Sequence, residues 1–116
     1  MNCDNEKIFS KTYCGSAAYA PPEIVSGIPY DPMKADVWSL GIILFIILNG
    51  VMPFDDTNLK KLVEDQTKKN YKMKDSIEAK LSSECKKVMV KSLEPDTNAR
   101  WRITDVINSK WLKKHN

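Results

Sequence analysis

Side chains that could do chemistry gather near the start of the chain, in the stretch SKTYCGSAAYAPPEI at residues 10–24. Thr12 and Ser16 carry hydroxyls, which donate and accept hydrogen bonds, and Glu23 carries a carboxylate, which can pair with an arginine. The other residues are mostly small, and the stretch has neither a helical nor a strand period. The pattern therefore predicts an irregular polar loop that other elements must hold in place.

The cysteines argue against two other kinds of site. Cys3, Cys14 and Cys85 are odd in number, widely spaced and without a C-x-x-C pair. Neither a disulfide framework nor a zinc site is predicted. We therefore expect a reducing intracellular location, that is, the cytoplasm. No signal peptide is indicated, because polar and acidic residues interrupt the first positions of the chain.

The charge balance gives little support to a nucleic-acid partner. Lys and Arg number 18 against 15 Asp and Glu, and the pI is only about 8.7. The basic residues cluster in the second half without glycine or aromatic residues between them, which favours solvated helix faces. Neither nucleic acid nor a membrane is therefore expected as a partner.

One long apolar helix dominates the predicted fold. Asp36 is predicted to cap its start, and the Asn49-Gly50 pair to close it. The run from Leu40 to Leu48 has no polar stripe, so we expect burial on every side. A membrane span is not favoured, because about 20 apolar residues would be needed and Ser39 interrupts the run.

Shorter helices are predicted on both sides of this one. The Pro21-Pro22-Glu23 sequence is typical of a short helix start, because proline is tolerated in a first turn. Three amphipathic helices are expected after further possible capping residues: Asp56 or Thr57, Ser82 or Ser83, and Thr104. A polar linker through residue 80 is predicted between the first and second of these helices. No strand pattern occurs, so a single all-α domain is predicted.

Several motifs follow one another along nearly the whole chain: T-x-C-G-S-x-x-Y-x-P-P-E, then D-V-W-S-L-G, then G-V-M-P-F-D-D, and last an arginine before a terminal helix. This order resembles the C-terminal lobe of eukaryotic protein kinases, and such an ordered set is a much stronger signal than one motif. The stretches SKTYCGSAAYA and MPFDDTNLKKLVEDQ are similar to testis-specific serine/threonine kinases of the calcium/calmodulin-kinase-like branch.

The resemblance implies a fold and a domain plan. Residues 1–116 would be a partial protein kinase domain, with the activation segment and substrate loop at 1–23 and the C-lobe helices at 24–116. The implied fold class is all-α, the helical C-terminal-lobe portion of the protein-kinase-like fold without the N-lobe and the catalytic loop.

The resemblance also assigns roles in the opening loop. Thr12 matches the activation-loop threonine, whose phosphate would order the loop through arginines. Gly15, Ser16 and Ala20 match the substrate loop, where small residues let a peptide backbone pass closely. From the residues alone, Thr12 could also be an ordinary exposed loop threonine, and a serine after glycine is also common turn chemistry.

Two further roles concern positions that support the loop. Glu23 matches the glutamate that pairs with a distant arginine, here Arg100, in a structural ion pair. Asp36 matches the aspartate that caps the central helix and hydrogen-bonds the catalytic loop. The alternative for Glu23 and Arg100 is two unrelated surface charges.

The catalytic motifs of the family do not occur in the 116 residues. Phosphoryl transfer needs a Gly-rich loop, a strand lysine, the H-R-D-x-x-x-x-N loop and the D-F-G aspartate. No catalytic, cofactor-binding or metal-binding residue is therefore predicted here, and ATP and magnesium are expected only in the complete kinase. We expect a fragment that is inactive alone, whose complete form has a protein substrate and an upstream activating kinase as partners. The alternative is a non-catalytic kinase-derived interaction module.

Overall fold

The structure, a computed structural model, describes residues 17–114. A 3-10 turn at Ala17–Tyr19 precedes seven α-helices in this range: α1 (Pro22–Val25), α2 (Pro32–Asn49), α3 (Leu59–Thr67), α4 (Asp75–Lys80), α5 (Ser83–Ser92), α6 (Ile103–Ile107) and α7 (Lys110–Lys114). Residues 17–114 contain no strand, which confirms the all-helical prediction.

The long helix α2 begins five residues earlier than the sequence predicts, with its cap at Asp31 instead of Asp36. Asp31 is its N-cap, and the Asp31 carboxylate accepts a hydrogen bond of 2.9 Å from the backbone N–H of Met33. Pro32 then occupies the first turn, where its fixed φ suits a helix. The predicted cap at Asp36 was wrong, because the Asp31-Pro32 pair already starts the helix and leaves Asp36 inside it, exposed to solvent.

The end of α2 follows the prediction. Gly50 adopts the left-handed conformation, with φ of 75°, and its N–H donates to the carbonyl of Ile46. A glycine adopts this conformation without the steric penalty that a Cβ would bring. The chain therefore turns sharply away from the helix after Asn49.

Helix α2 packs most extensively against α5. Gly41 allows this approach, because a Cβ at this position would lie only 2.9 Å from the Ser92 Cβ and from a methyl group of Leu93. A larger residue would have to push the two helices apart. The buried residues around this contact form the main core, which contains Ala20, Ile24, Val25, Ala35, Trp38, Ile42, Phe45, Phe54, Leu62, Met73, Met89 and Leu93.

One face of α2 stays exposed in the part of the chain that the structure describes. Met33, Leu40, Ile43 and Ile47 recur at helical spacing, with exposed fractions of 70%, 37%, 46% and 73%. We call these four residues the outer stripe. By length and composition α2 could cross a membrane, having 18 residues and a mean hydropathy of 1.4. A soluble core helix passes the same test, so this finding is weak evidence for a span.

The remaining helices differ from the prediction mainly at their ends. Asn58 caps α3 through its side chain, instead of Asp56 or Thr57, whereas Ser82 caps α5 as predicted. Helix α4 lies inside the predicted polar linker. The predicted last helix is divided into α6 and α7, because the backbone leaves the helix at Asn108.

Candidate functional site

Only part of the predicted substrate loop belongs to the described residues. Thr12, Gly15 and Ser16 lie outside them, so their predicted roles stay predictions. From the 3-10 turn onward the loop is described, and Ala20 at its end is completely buried. The structure therefore shows how the end of the loop is held.

Glu23 and Arg100 are brought together from positions 77 residues apart. The two terminal nitrogens of Arg100 donate to the two carboxylate oxygens of Glu23, at 2.7 Å for Nη1 to Oε2 and 2.9 Å for Nη2 to Oε1. The Arg100 side chain is 0% exposed and the Glu23 side chain 4%. This is a buried bidentate pair, the geometry in which a carboxylate and a guanidinium bind most strongly.

The other donors of Arg100 are also satisfied. Nε donates to the carbonyl of Glu94 at 2.7 Å, Nη1 to that of Lys34 at 3.1 Å and Nη2 to that of Pro95 at 3.5 Å. A guanidinium has five N–H groups, and each of the five has an acceptor here. Complete satisfaction is what makes a buried charge tolerable, because each unpaired polar group in a protein interior carries a desolvation penalty.

Trp38 covers one face of the same guanidinium. The Arg100 Cζ lies 5.1 Å from the centroid of the Trp38 ring, and Phe54 stacks on this ring at 6.1 Å with an interplanar angle of 13°. A cation over an aromatic face is attracted by the ring electrons, more strongly where water is excluded. The aromatic pair therefore shields the ion pair from solvent.

Lys34 and Arg100 exchange hydrogen bonds between side chain and backbone. The Lys34 ammonium donates to the carbonyl of Arg100 at 2.6 Å and to that of Thr97 at 2.7 Å, while Arg100 donates to the carbonyl of Lys34. The first turn of α2 is thereby fixed to the connection between α5 and α6. One cluster thus joins α1, α2 and this connection.

Two helices hold the end of the predicted substrate loop by its carbonyl groups. The Ser39 hydroxyl of α2 donates to the carbonyl of Tyr19 at 3.0 Å. The Gln66 amide of α3 donates to the carbonyl of Ala20 at 2.8 Å. These bonds and the Glu23 ion pair fix the loop on both sides of the two prolines.

Asp36 does not join this cluster. Its side chain is exposed on α2, and this side chain makes no hydrogen bond or ion pair with another residue of the range 17–114. The side chains that do join it beyond the sequence prediction are Lys34, Ser39 and Gln66. A weak signal existed for Gln66, since a glutamine stands at helical spacing from Leu59, Leu62 and Val63 on an apolar face.

The electrostatics of the α5–α6 connection favour ionised groups. Partial burial raises the pKa of the Glu94 carboxyl, but the backbone N–H of Asp96 and the Lys69 ammonium outweigh this effect and hold the pKa below its ordinary value.

The Cys85 thiol of α5 has the opposite shift. Burial raises its pKa, which makes it a poor nucleophile at neutral pH.

The described residues provide no cluster of side chains suited to a magnesium ion. In the range 17–114, no group of three or more His, Cys, Asp and Glu side chains could hold a metal ion. The charged groups at the centre of the cluster already satisfy one another, because Arg100 has all its acceptors and Glu23 is fully paired. What the arrangement can do chemically is to hold a loop rigidly, and no reaction step is assigned to it.

The comparisons with known proteins agree with the motif order. A family model described as the protein kinase domain matches residues 2–112. The chain is 45% identical over 106 residues to testis-specific serine/threonine-protein kinase 1 of Mus musculus, covering 91% of this chain and 28% of the relative. It is 43% identical over 115 residues to testis-specific serine/threonine-protein kinase 4 of Homo sapiens, covering 98% of this chain and 33% of the relative.

A solved structure with the same fold is the twitchin kinase region from C. elegans. It superimposes with a TM-score of 0.71 at 30% identity, over 83% of this chain and 17% of that chain. The chain therefore spans about a third or less of the length of the relatives described here. Because the family model covers almost every residue, we conclude that the chain belongs to the protein kinase domain family.

Proposed function

We propose that this chain is the C-terminal-lobe part of a serine/threonine protein kinase. In its complete form the kinase would transfer the γ-phosphate of ATP to a serine or threonine of a protein substrate. The single observation that carries the proposal is the buried Glu23–Arg100 pair, which ends a loop of small residues and joins it to the helical core. The serine/threonine kinases among the relatives support the same reaction class.

The substrate loop would act as a preorganised surface against which the backbone of the substrate peptide binds. Hydrogen bonds to the carbonyls of Tyr19 and Ala20 and the ion pair at Glu23 limit its movement. A preorganised surface binds a peptide with a smaller loss of conformational entropy than a mobile one. Ser16 would then seat the substrate residue that follows the phosphate acceptor, and phosphorylated Thr12 would order the preceding segment.

ATP and magnesium enter only as part of the complete kinase. The 116 residues contain no Gly-rich loop, H-R-D-x-x-x-x-N loop or D-F-G motif. We therefore propose that the chain alone transfers no phosphate and that other parts of the domain would supply these sites. A cytoplasmic location and an upstream kinase acting on Thr12 belong to the same proposal.

A second candidate function is a non-catalytic interaction module. The observation that favours it is the outer stripe, where Met33 and Ile47 are 70% and 73% exposed. Exposed apolar residues in a row are typical of surfaces that bind another protein segment. In this case the chain would retain the loop and helices of a kinase lobe without its chemistry.

The size of the native product distinguishes the two functions. An antibody against residues 55–70, DDTNLKKLVEDQTKKN, would be used on cell extract, and the captured protein would be assayed for phosphate transfer from labelled ATP. A product about three times the 13.2 kDa of this chain, with activity lost in a Thr12→Ala variant, would support the kinase. A product near 13.2 kDa without activity would contradict it and favour the interaction module.

A further inference from the structure

The side chain of Gln66 is the least expected polar group near the substrate loop. It belongs to α3, 46 residues from Ala20, and it is 0% exposed. Its neighbours on the same helix face are apolar, with Leu62 also completely buried. A glutamine in such surroundings is stable only if its amide has hydrogen-bond partners.

Ala20 supplies one of these partners. The Gln66 Nε2 donates to the Ala20 carbonyl oxygen at 2.8 Å. A carbonyl oxygen accepts but cannot donate, so the NH₂ end of the amide must be the end that faces Ala20. The contact thus fixes the orientation of the amide and gives a buried backbone acceptor a donor from a distant helix.

The other end of the amide shows that packing alone does not explain this residue. Gln66 Oε1 is buried and has no hydrogen-bond partner within residues 17–114. A leucine would fill a similar volume without bringing a buried acceptor. The feature that a leucine could not reproduce is the hydrogen bond to Ala20.

The Gln66–Ala20 hydrogen bond also lies where it can determine the conformation of the loop. Ser39 of α2 holds the carbonyl of Tyr19, and Gln66 of α3 holds the next carbonyl along the chain. Because successive carbonyls are held by different helices, the peptide between them is fixed in orientation as well as in place. Movement of α3 relative to α2 would therefore rotate the end of the loop.

We propose that Gln66 is a positioning residue that sets the conformation of the substrate loop through the Ala20 carbonyl. The hydrogen bond transmits the position of α3 to the loop, and α3 contributes no other group to this carbonyl. The term substrate loop rests on the function proposed above, whereas the effect of Gln66 on residues 17–28 can be tested without any enzymatic assay.

The first test measures hydrogen exchange in the 116-residue chain. In a Gln66→Leu variant, we expect amides of residues 17–28 to exchange roughly ten-fold faster, because the segment loses the bond at the Ala20 carbonyl that limits its local opening. Amides of α5 should keep their protection, which shows that the variant is folded. Thr67→Val is the matched control, because the exposed Thr67 hydroxyl bonds only carbonyls of its own helix. Unchanged exchange of residues 17–28 in Gln66→Leu would overturn the proposal.

The second test uses pH to restore the bond. In a Gln66→Glu variant the protonated carboxyl can donate to Ala20, whereas the ionised carboxylate can only repel its oxygen. Burial raises the pKa of such a carboxyl, so protection of residues 17–28 is expected near pH 5 and should be lost as the pH rises through this pKa. Exchange rates are compared after correction for intrinsic pH dependence.

The Gln66→Leu variant gives the reference for this pH profile. It has no titrating group at the position, so its protection should stay equally low from pH 5 to pH 8. Identical profiles for Gln66→Glu and Gln66→Leu would overturn the role of the hydrogen bond. Neither readout requires ATP, so an inactive native product would contradict the kinase proposal while leaving this result unaffected.

Discussion

The two faces of helix α2 consist of similar residues in opposite surroundings. Ile42 and Ile43 are neighbours, yet Ile42 is completely buried and Ile43 is 46% exposed. The inner face meets α5 at Gly41 and carries Trp38 against the Arg100 cluster. The outer face carries the outer stripe, which no element of the range 17–114 covers.

This difference shows that the burial of an apolar helix is decided by its neighbours. The sequence of α2 has no polar stripe, so its own composition cannot tell the inner face from the outer one. The polar groups that fix the inner face come from elsewhere, chiefly Glu23 and Arg100. The stability of the chain should therefore depend on one face of α2 far more than on the other.

Truncating the two neighbouring isoleucines is the strongest way to break this comparison. Ile42→Ala should destabilise the chain by about 2–5 kcal/mol, because it removes buried methyl groups and leaves a cavity. Ile43→Ala is the matched control on the same helix, and an exposed position should change stability by less than about 0.5 kcal/mol. Urea denaturation of both variants measures the difference. Equal effects would show that the two faces are not distinct.

Filling the helix contact is expected to have an intermediate effect. Gly41→Ala would place a Cβ 2.9 Å from Ser92 and Leu93, so α2 and α5 must separate, at about 1–3 kcal/mol. Gly50→Ala is a useful control, because its φ of 75° is strained for alanine although no atom lies within 4 Å. Strain there should cost about 1 kcal/mol. Wild-type stability in Gly41→Ala, again by urea denaturation, would contradict the close approach.

Substitutions in the outer stripe should change the binding of a hydrophobic dye, while the free energy of unfolding should hardly change. Ile47→Lys is expected to reduce the fluorescence of a bound hydrophobic dye several-fold, because it places a charge at the most exposed position of the outer stripe. The free energy of unfolding should change by less than about 0.5 kcal/mol. Ile107→Lys is the control, since Ile107 is 55% exposed but lies on α6. Equal loss of dye binding in both variants would argue against a distinct stripe.

Local sequence signals predicted the helices and their ends where the capping chemistry was unambiguous. Gly50 closes α2 and Ser82 caps α5 as predicted, because each is the residue type that its position requires. The apolar run predicts a start of α2 at Asp36, but the Asp31-Pro32 pair starts the helix earlier. Gly27, Pro29 and Pro32 indicate a loop in this part of the sequence, and they hide the helix start at Asp31.

The contacts that build the site were harder to predict. The pairing of Glu23 with Arg100 came from motif order, since nothing local links residues 77 positions apart. Lys34, Ser39 and Gln66 act on backbone carbonyls, and any lysine, serine or glutamine could do so. Their roles depend on tertiary geometry that a single sequence does not contain.

A buried ion pair fastens the end of the predicted substrate loop to the inner face of α2. A double-mutant cycle of Glu23→Gln and Arg100→Met, followed by urea denaturation, tests it most directly. Each single change should destabilise the chain by about 3–5 kcal/mol, because it leaves the partner buried with unpaired groups. The double variant should lose about 2 kcal/mol less than the sum of the two. Additive effects, with a coupling below about 0.5 kcal/mol, would contradict the account.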